Sequence, residues 1–182
     1  MTSSIRKRTF AVACGLLAVL WCPSLITCQQ ENQLTRQQII DAARELITTT
    51  RYCSLITVDS NSTAHARTMD PFLPDQNLVV WMATNPKSRK VAEIRRNARV
   101  TLYYFDRESQ GYVTIYGRAQ LVNDAKEKSR YWKDDWKDFY PDRGRSYLLI
   151  KVVPLEMEVV IVKKDIVGKS ERWTPPKVTF KK

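Results

Sequence analysis

The chain has 182 residues, enough for one domain and a short extra segment. A hydrophobic content of 43% supplies a real core, and only 5 Gly and 8 Pro exclude a disordered, low-complexity chain. The net charge of +11 favours anionic partners: phosphorylated ligands, lipid headgroups or nucleic acid.

The extra segment comes first. Arg6, Lys7 and Arg8 form a basic start, an apolar run follows from Thr9 to Cys22, and Pro23 ends it. That order and length fit a secretory signal and fall short of a membrane-spanning helix. Leu25-Ile26-Thr27-Cys28 resembles a bacterial lipoprotein box with Cys28 as the lipidated residue, although Thr27 stands where a smaller residue is usual. An ordinary cleaved signal or an uncleaved anchor is the alternative. The expected organisation is a signal over 1–28, a polar tether over 29–34 and one domain over 35–182. Such a protein is exported to the bacterial cell envelope and held on the membrane through Cys28. The leader carries three positive charges and no negative ones, which lowers +11 to +8 for the remainder. Export makes nucleic acid the least suitable anionic partner. Cys14, Cys22 and Cys28 lie in the leader, so Cys53 is left alone in the body as a buried thiol, with no internal disulfide and no thiolate zinc site.

Thr35 can cap a helix to about Thr49, with Ile39, Ile40, Ala43, Leu46 and Ile47 on one face. Strands are expected at Tyr52–Val58, Ala64–Met69 and Asn77–Thr84, the first two joined by the turn Asp59-Ser60-Asn61-Ser62. A short helix over Lys87–Asn97 comes next, then strands at Val100–Phe105 and Tyr112–Val122. A helix over Ala125–Tyr140 places Trp132, Trp136, Phe139 and Tyr140 on one core-facing side. Strands at Tyr147–Val153 and Glu156–Val162, separated by Pro154, close the series. Many strands, three helices and no regular alternation favour a mainly β, antiparallel barrel with attached helices, α+β in broad terms.

The chemistry concentrates in Asn85-Pro86-Lys87-Ser88-Arg89-Lys90, which follows an apolar strand and opens a helix. A helix start carries unpaired N–H groups and partial positive charge, so acidic residues are favoured there. Lys87, Arg89 and Lys90 oppose that field. A bound phosphate would offset both, with Ser88 adding a hydroxyl donor; a solvated basic turn is the plainer alternative. Arg67 shares a strand face with His65 and Met69, and a pairing of the second and third strands would bring that face beside the helix start. His65 is the single histidine and reads first as an ordinary strand residue.

Arg67-Thr68-Met69, Val80-Trp81-Met82-Ala83-Thr84-Asn85, Ser88-Arg89-Lys90, Asn97-Ala98-Arg99-Val100 and Tyr112 to Ala119 together resemble the pyridoxamine 5'-phosphate oxidase-like flavoproteins. Trp132 to Pro141 and Leu148 to Pro154 are more like the general stress protein 26 branch. The resemblance implies a split β-barrel homodimer with flavin mononucleotide (FMN) at the subunit interface. FAD or haem would be less usual occupants, and His65 would be the first haem ligand to consider. Arg67, Ser88, Arg89 and Lys90 would then hold the phosphate, with Thr68, Met69, Ala83, Thr84 and Tyr112 near the ribityl chain and ring. Phe72 stands where the oxidase has a Lys, Tyr112 where it has a Gln, and the C-terminal substrate motif is missing. These departures argue against oxidation of pyridoxamine phosphate itself. What remains implied is an FMN-dependent oxidoreductase of unknown substrate, or a non-catalytic, stress-related protein that binds flavin or haem in the same barrel.

Overall fold

The computed structural model describes residues 34–168 and 171–180. The expected signal, the lipidation site Cys28 and most of the tether lie outside the described residues.

Helix α1 (Arg36–Thr50) is closed at its start by a capping box, in which Thr35 and Gln38 each bind the other's backbone N–H. Its buried stripe of Ile39, Ile40, Ala43, Leu46 and Ile47 packs onto the sheet, as the periodicity predicts.

Seven antiparallel strands form one sheet: β1 (Cys53–Val58), β2 (Ala64–Met69), β3 (Val80–Thr84), β4 (Arg99–Asp106), β5 (Gly111–Val122), β6 (Leu148–Ile161) and β7 (Lys177–Thr179). The order is β2-β1-β4-β5-β6-β3, with β7 added to β6. The sheet curls into a half-barrel, the split-barrel architecture expected. Its inner face carries Leu55, Leu102, Tyr104, Val113, Ile115, Met157 and Val159, all buried in the main core. Cys53 lies there too, and burial pushes its thiol up to about 12.

Three expectations fail. Strands β2 and β3 do not pair: β2 pairs β1, and β3 pairs β6. Hydrophobic alternation marks which face of a strand is buried but not which strand lies beside it. Pro154 does not divide two strands. It sits inside one long β6, opposite Gly117, where the register slips between Tyr116 and Gly117 and Leu155 is the extra residue. A bulge is where a sheet tolerates proline. Gly117 is required there, because a Cβ would lie 2.7 Å from the Val152 side chain and 2.9 Å from the Val153 carbonyl. Finally, the helix over Ala125–Tyr140 stops early. Only α3 (Ala125–Arg130), capped by Asp124, is helical; a 3-10 turn (Asp134–Trp136) and α4 (Arg143–Ser146) follow.

The broken segment builds a second cluster instead. Trp136 and Tyr147 bury with Ala83 and Leu149, and Phe72, Trp81, Tyr131, Trp132 and Tyr140 pack around them. Trp81 stacks on Tyr131 with centroids 4.4 Å apart, and the Tyr147 hydroxyl donates to the Tyr131 carbonyl. Phe139 stays outside this core, 75% exposed.

Candidate functional site

A groove of about 570 Å³ opens between the end of β2, the end of β3 and the start of α2 (Arg89–Arg96). Thr68, Met69, Ala83, Thr84, Ser88 and Lys90 line it, all six expected from the sequence. The far wall is Trp136, Phe139 and Tyr140, with Arg51 and Tyr52 at the rim. The helical spacing favours a core role for Trp136, Phe139 and Tyr140 over a stacking platform, because a continuous helix there has no groove to face.

The floor of the groove is a chain of donors. Thr84 is buried, and its hydroxyl lies 3.0 Å from that of Ser88 and accepts a hydrogen bond of 3.2 Å from Lys90 Nζ. Ser88 stands at the N-cap of α2 without a side-chain bond to the helix N–H groups, since its hydroxyl turns to Thr84. Burial, and then the nearby Arg67 charge, lower the Lys90 pKa, partly opposed by Glu93. A half-buried ammonium held beside another cation favours an anion.

Arg67 and Arg89 stand behind this floor rather than on the lining. In the β1–β2 register Thr57 faces His65 and Leu55 faces Arg67, so His65, Arg67 and Met69 share the inner face as expected. There Arg67 donates to the Thr57 hydroxyl and, at 3.0 Å, to Glu93 Oε2. Thr57 in turn donates to the same Glu93 oxygen. Arg89 Nε reaches to 3.2 Å of Glu93 Oε1 from one helical turn away. Burial works to raise the Glu93 carboxyl, but the Thr57 hydroxyl and Arg67 outweigh it and hold it below the usual range. The basic first turn of α2 therefore has a counter-charge of its own. The sequence alone singles out neither Thr57 nor Glu93. Its spacing of three from Lys90 and four from Arg89 was the available signal.

His65 is bonded to Asp59 at 3.0 Å and lies 3.9 Å from Glu93, so it belongs to this network rather than facing the groove as a free ligand. Among the described residues no group of His, Cys, Asp or Glu is placed to hold a metal. Tyr112 is not brought to the groove of its own chain. It lies on the outer sheet face, 5.7 Å from Tyr103, with Phe105 and Tyr116 exposed on that same face.

A third group links the groove to the aromatic wall. Asp70 binds Lys133 at 2.8 Å and Arg51 at 3.3 Å, and Lys133 also donates to the Pro71 carbonyl. Arg51 holds this position from a left-handed backbone at φ 60°.

A family model described as pyridoxamine 5'-phosphate oxidase like matches residues 38–164. A crystal structure of a Clostridium acetobutylicum protein related to general stress protein 26 of B. subtilis superposes with a TM-score of 0.63 at 18% identity, over 81% of this chain and 96% of the other. General stress protein 26 from Bacillus anthracis str. Sterne does so with a TM-score of 0.58 at 25% identity, over 75% and 98%. A pyridoxamine 5'-phosphate oxidase-related, FMN-binding protein from Nostoc punctiforme gives a TM-score of 0.57 at 12% identity, over 82% and 98%. No curated protein matches the sequence.

Proposed function

The chain belongs to the pyridoxamine 5'-phosphate oxidase-like family, and on that premise we propose that it is an exported flavoprotein that holds FMN in the groove between β2 and β3. The observation that carries this reading is the convergence of Thr84, Ser88 and Lys90 at one point, with Arg67 and Arg89 behind it. Two hydroxyls and an ammonium on the lining, backed by two guanidinium groups, suit a phosphate. The groove volume falls within the range of about 300–1,000 Å³ usual for cofactor pockets. Thr68, Met69 and Ala83 would border the ribityl chain and ring. Haem is less well served, because Asp59 already occupies the His65 imidazole.

Bound flavin supplies hydride or single-electron transfer. The chain's own part is to anchor the phosphate, set the ring against the groove wall and keep water from it with Trp136 and Tyr140. The substrate is one other than pyridoxamine phosphate. The unit of function is a homodimer, since Tyr103, Phe105 and Tyr116 form an exposed aromatic stripe suited to a second copy. Through that copy Tyr112 would reach a flavin. The basic leader and Cys28 support export and lipid anchoring.

The absorption spectrum of the purified protein, before and after addition of FMN, tests the flavin. Flavin bands are expected, and replacing Lys90 by Ala should abolish uptake while the fold survives. A protein that stays colourless with added FMN sinks the reading. Incorporation of labelled fatty acid, lost in Cys28→Ala, checks the anchor.

A further inference from the structure

Glu93 is only 4% exposed, yet it is a carboxylate on a helix face otherwise buried through Val91 and Ile94. A purely structural position there is served better by an apolar side chain, since burying a charge is costly unless it is paired. Glu93 is paired to excess. Oε2 accepts from Thr57 and Arg67, and Oε1 lies near Arg89 and His65 without an aligned hydrogen bond.

We infer that Glu93 is the positioning residue of the groove's anion site: it fixes Arg67 and Arg89 and sets a charge that selects a phosphate monoester in its dianionic form. This rests on reading the groove as a phosphate site. Arg67 has five N–H donors, and two groups, Thr57 and Glu93, engage it from one side. The remaining donors keep a fixed direction, so less rotamer freedom is lost when an anion arrives. Among the groups nearest the groove, Arg67, Arg89 and Lys90 set three cations against the Glu93 carboxylate, an excess of two positive charges, with the Asp59 carboxylate one residue further back on His65. A phosphate monoester dianion balances them. A diester or a carboxylate leaves one unmatched.

The sign of a single substitution separates positioning from simple charge. If Glu93 acted only as a negative charge, Glu93→Gln would tighten anion binding. If it positions the guanidinium groups, the same change weakens it. Inorganic phosphate is titrated by calorimetry, and FMN and riboflavin by flavin fluorescence, against the wild type, Glu93→Gln and Thr57→Val. Phosphate and FMN should each bind about tenfold more weakly to Glu93→Gln, the size of one charged hydrogen bond lost, with riboflavin unchanged. Thr57→Val should move in the same direction by less, and it decides the matter if Glu93→Gln does not fold. Unchanged or tighter phosphate binding overturns the inference. A wild type that takes phosphate but no FMN removes the flavin reading and leaves Glu93 judged on the phosphate arm alone. A wild type that takes neither ends both.

Discussion

Glu93 on α2 and Arg67 on β2 meet at 3.0 Å across 26 residues of chain that include the whole of β3. The contact ties the middle of α2 to the edge of the sheet opposite the strand that leads into the helix. Arg67→Lys tests the geometry of this link without changing its charge. A lysine cannot bridge Thr57 and Glu93 and still present a fork to an anion. FMN affinity should fall about tenfold, read by fluorescence titration, while the circular dichroism spectrum is kept.

Lys90 makes the site sensitive to alkali. Its folded pKa is lowered, by burial first and by Arg67 second. The unfolded chain therefore keeps this proton to higher pH than the folded one. In the empty protein, stability contributed at this position rises as pH climbs through the window just below the ordinary lysine value of about 10.4. Anion binding runs the other way, because it needs the ammonium. Affinity for inorganic phosphate should decline over that same window in the wild type and become flat there in Lys90→Met, measured by titration at a series of pH values.

At acid pH Asp70 is one of the groups that matter. Burial works to raise its carboxyl, but hydrogen bonds from Arg51 and Lys133 outweigh that and hold it low. Its stabilising contribution is present above the unfolded value of about 3.9 and is lost as pH falls through the lower folded one. Arg51 is largely exposed, so the pair is well screened, and Asp70→Asn should cost only about 1 kcal/mol in denaturant melts at neutral pH. The loss should be local. Hydrogen exchange is expected to quicken over residues 131–140, where Lys133 no longer holds the wall to the end of β2.

Gly117→Ala should destabilise the barrel by about 1–3 kcal/mol, because the new methyl meets the Val152 side chain and the Val153 carbonyl at the bulge. Thermal unfolding reads this directly. A variant as stable as the wild type would mean that β6 runs past Gly117 without the bulge.

Much of this fold is legible before any coordinates. Thr35 and the apolar spacing of α1 mark that helix to within a residue. Good alternation does the same for β5, and the apolar, aromatic run Val100–Phe105 for β4. The stretch from Tyr131 to Tyr147 is not legible, because its aromatic residues answer to the back of β3 rather than to a helical period. Partner choice among strands is equally hidden, being settled by long-range pairing. At the site, Thr84 comes into view only through the family resemblance, whereas Ser88 and Lys90 could be read from a basic helix start after an apolar strand. Thr57 could not, since a threonine in a β-branched strand announces nothing until a carboxylate from α2 lies against it.

The strand order leaves β2 and β3 as the two margins of one sheet, and the groove runs along the seam between them. A backbone hydrogen bond of 2.8 Å from Phe72 to Trp81 laces the seam beyond the groove. Anything that touches Thr68 and Met69 on one side and Ala83 and Thr84 on the other is thus a clasp as well as a cargo. At a hundredfold excess over its dissociation constant such a clasp adds about 2.7 kcal/mol to the folded state. Occupancy and mechanical closure of the barrel become one variable, so a melting curve alone can report whether the protein is loaded.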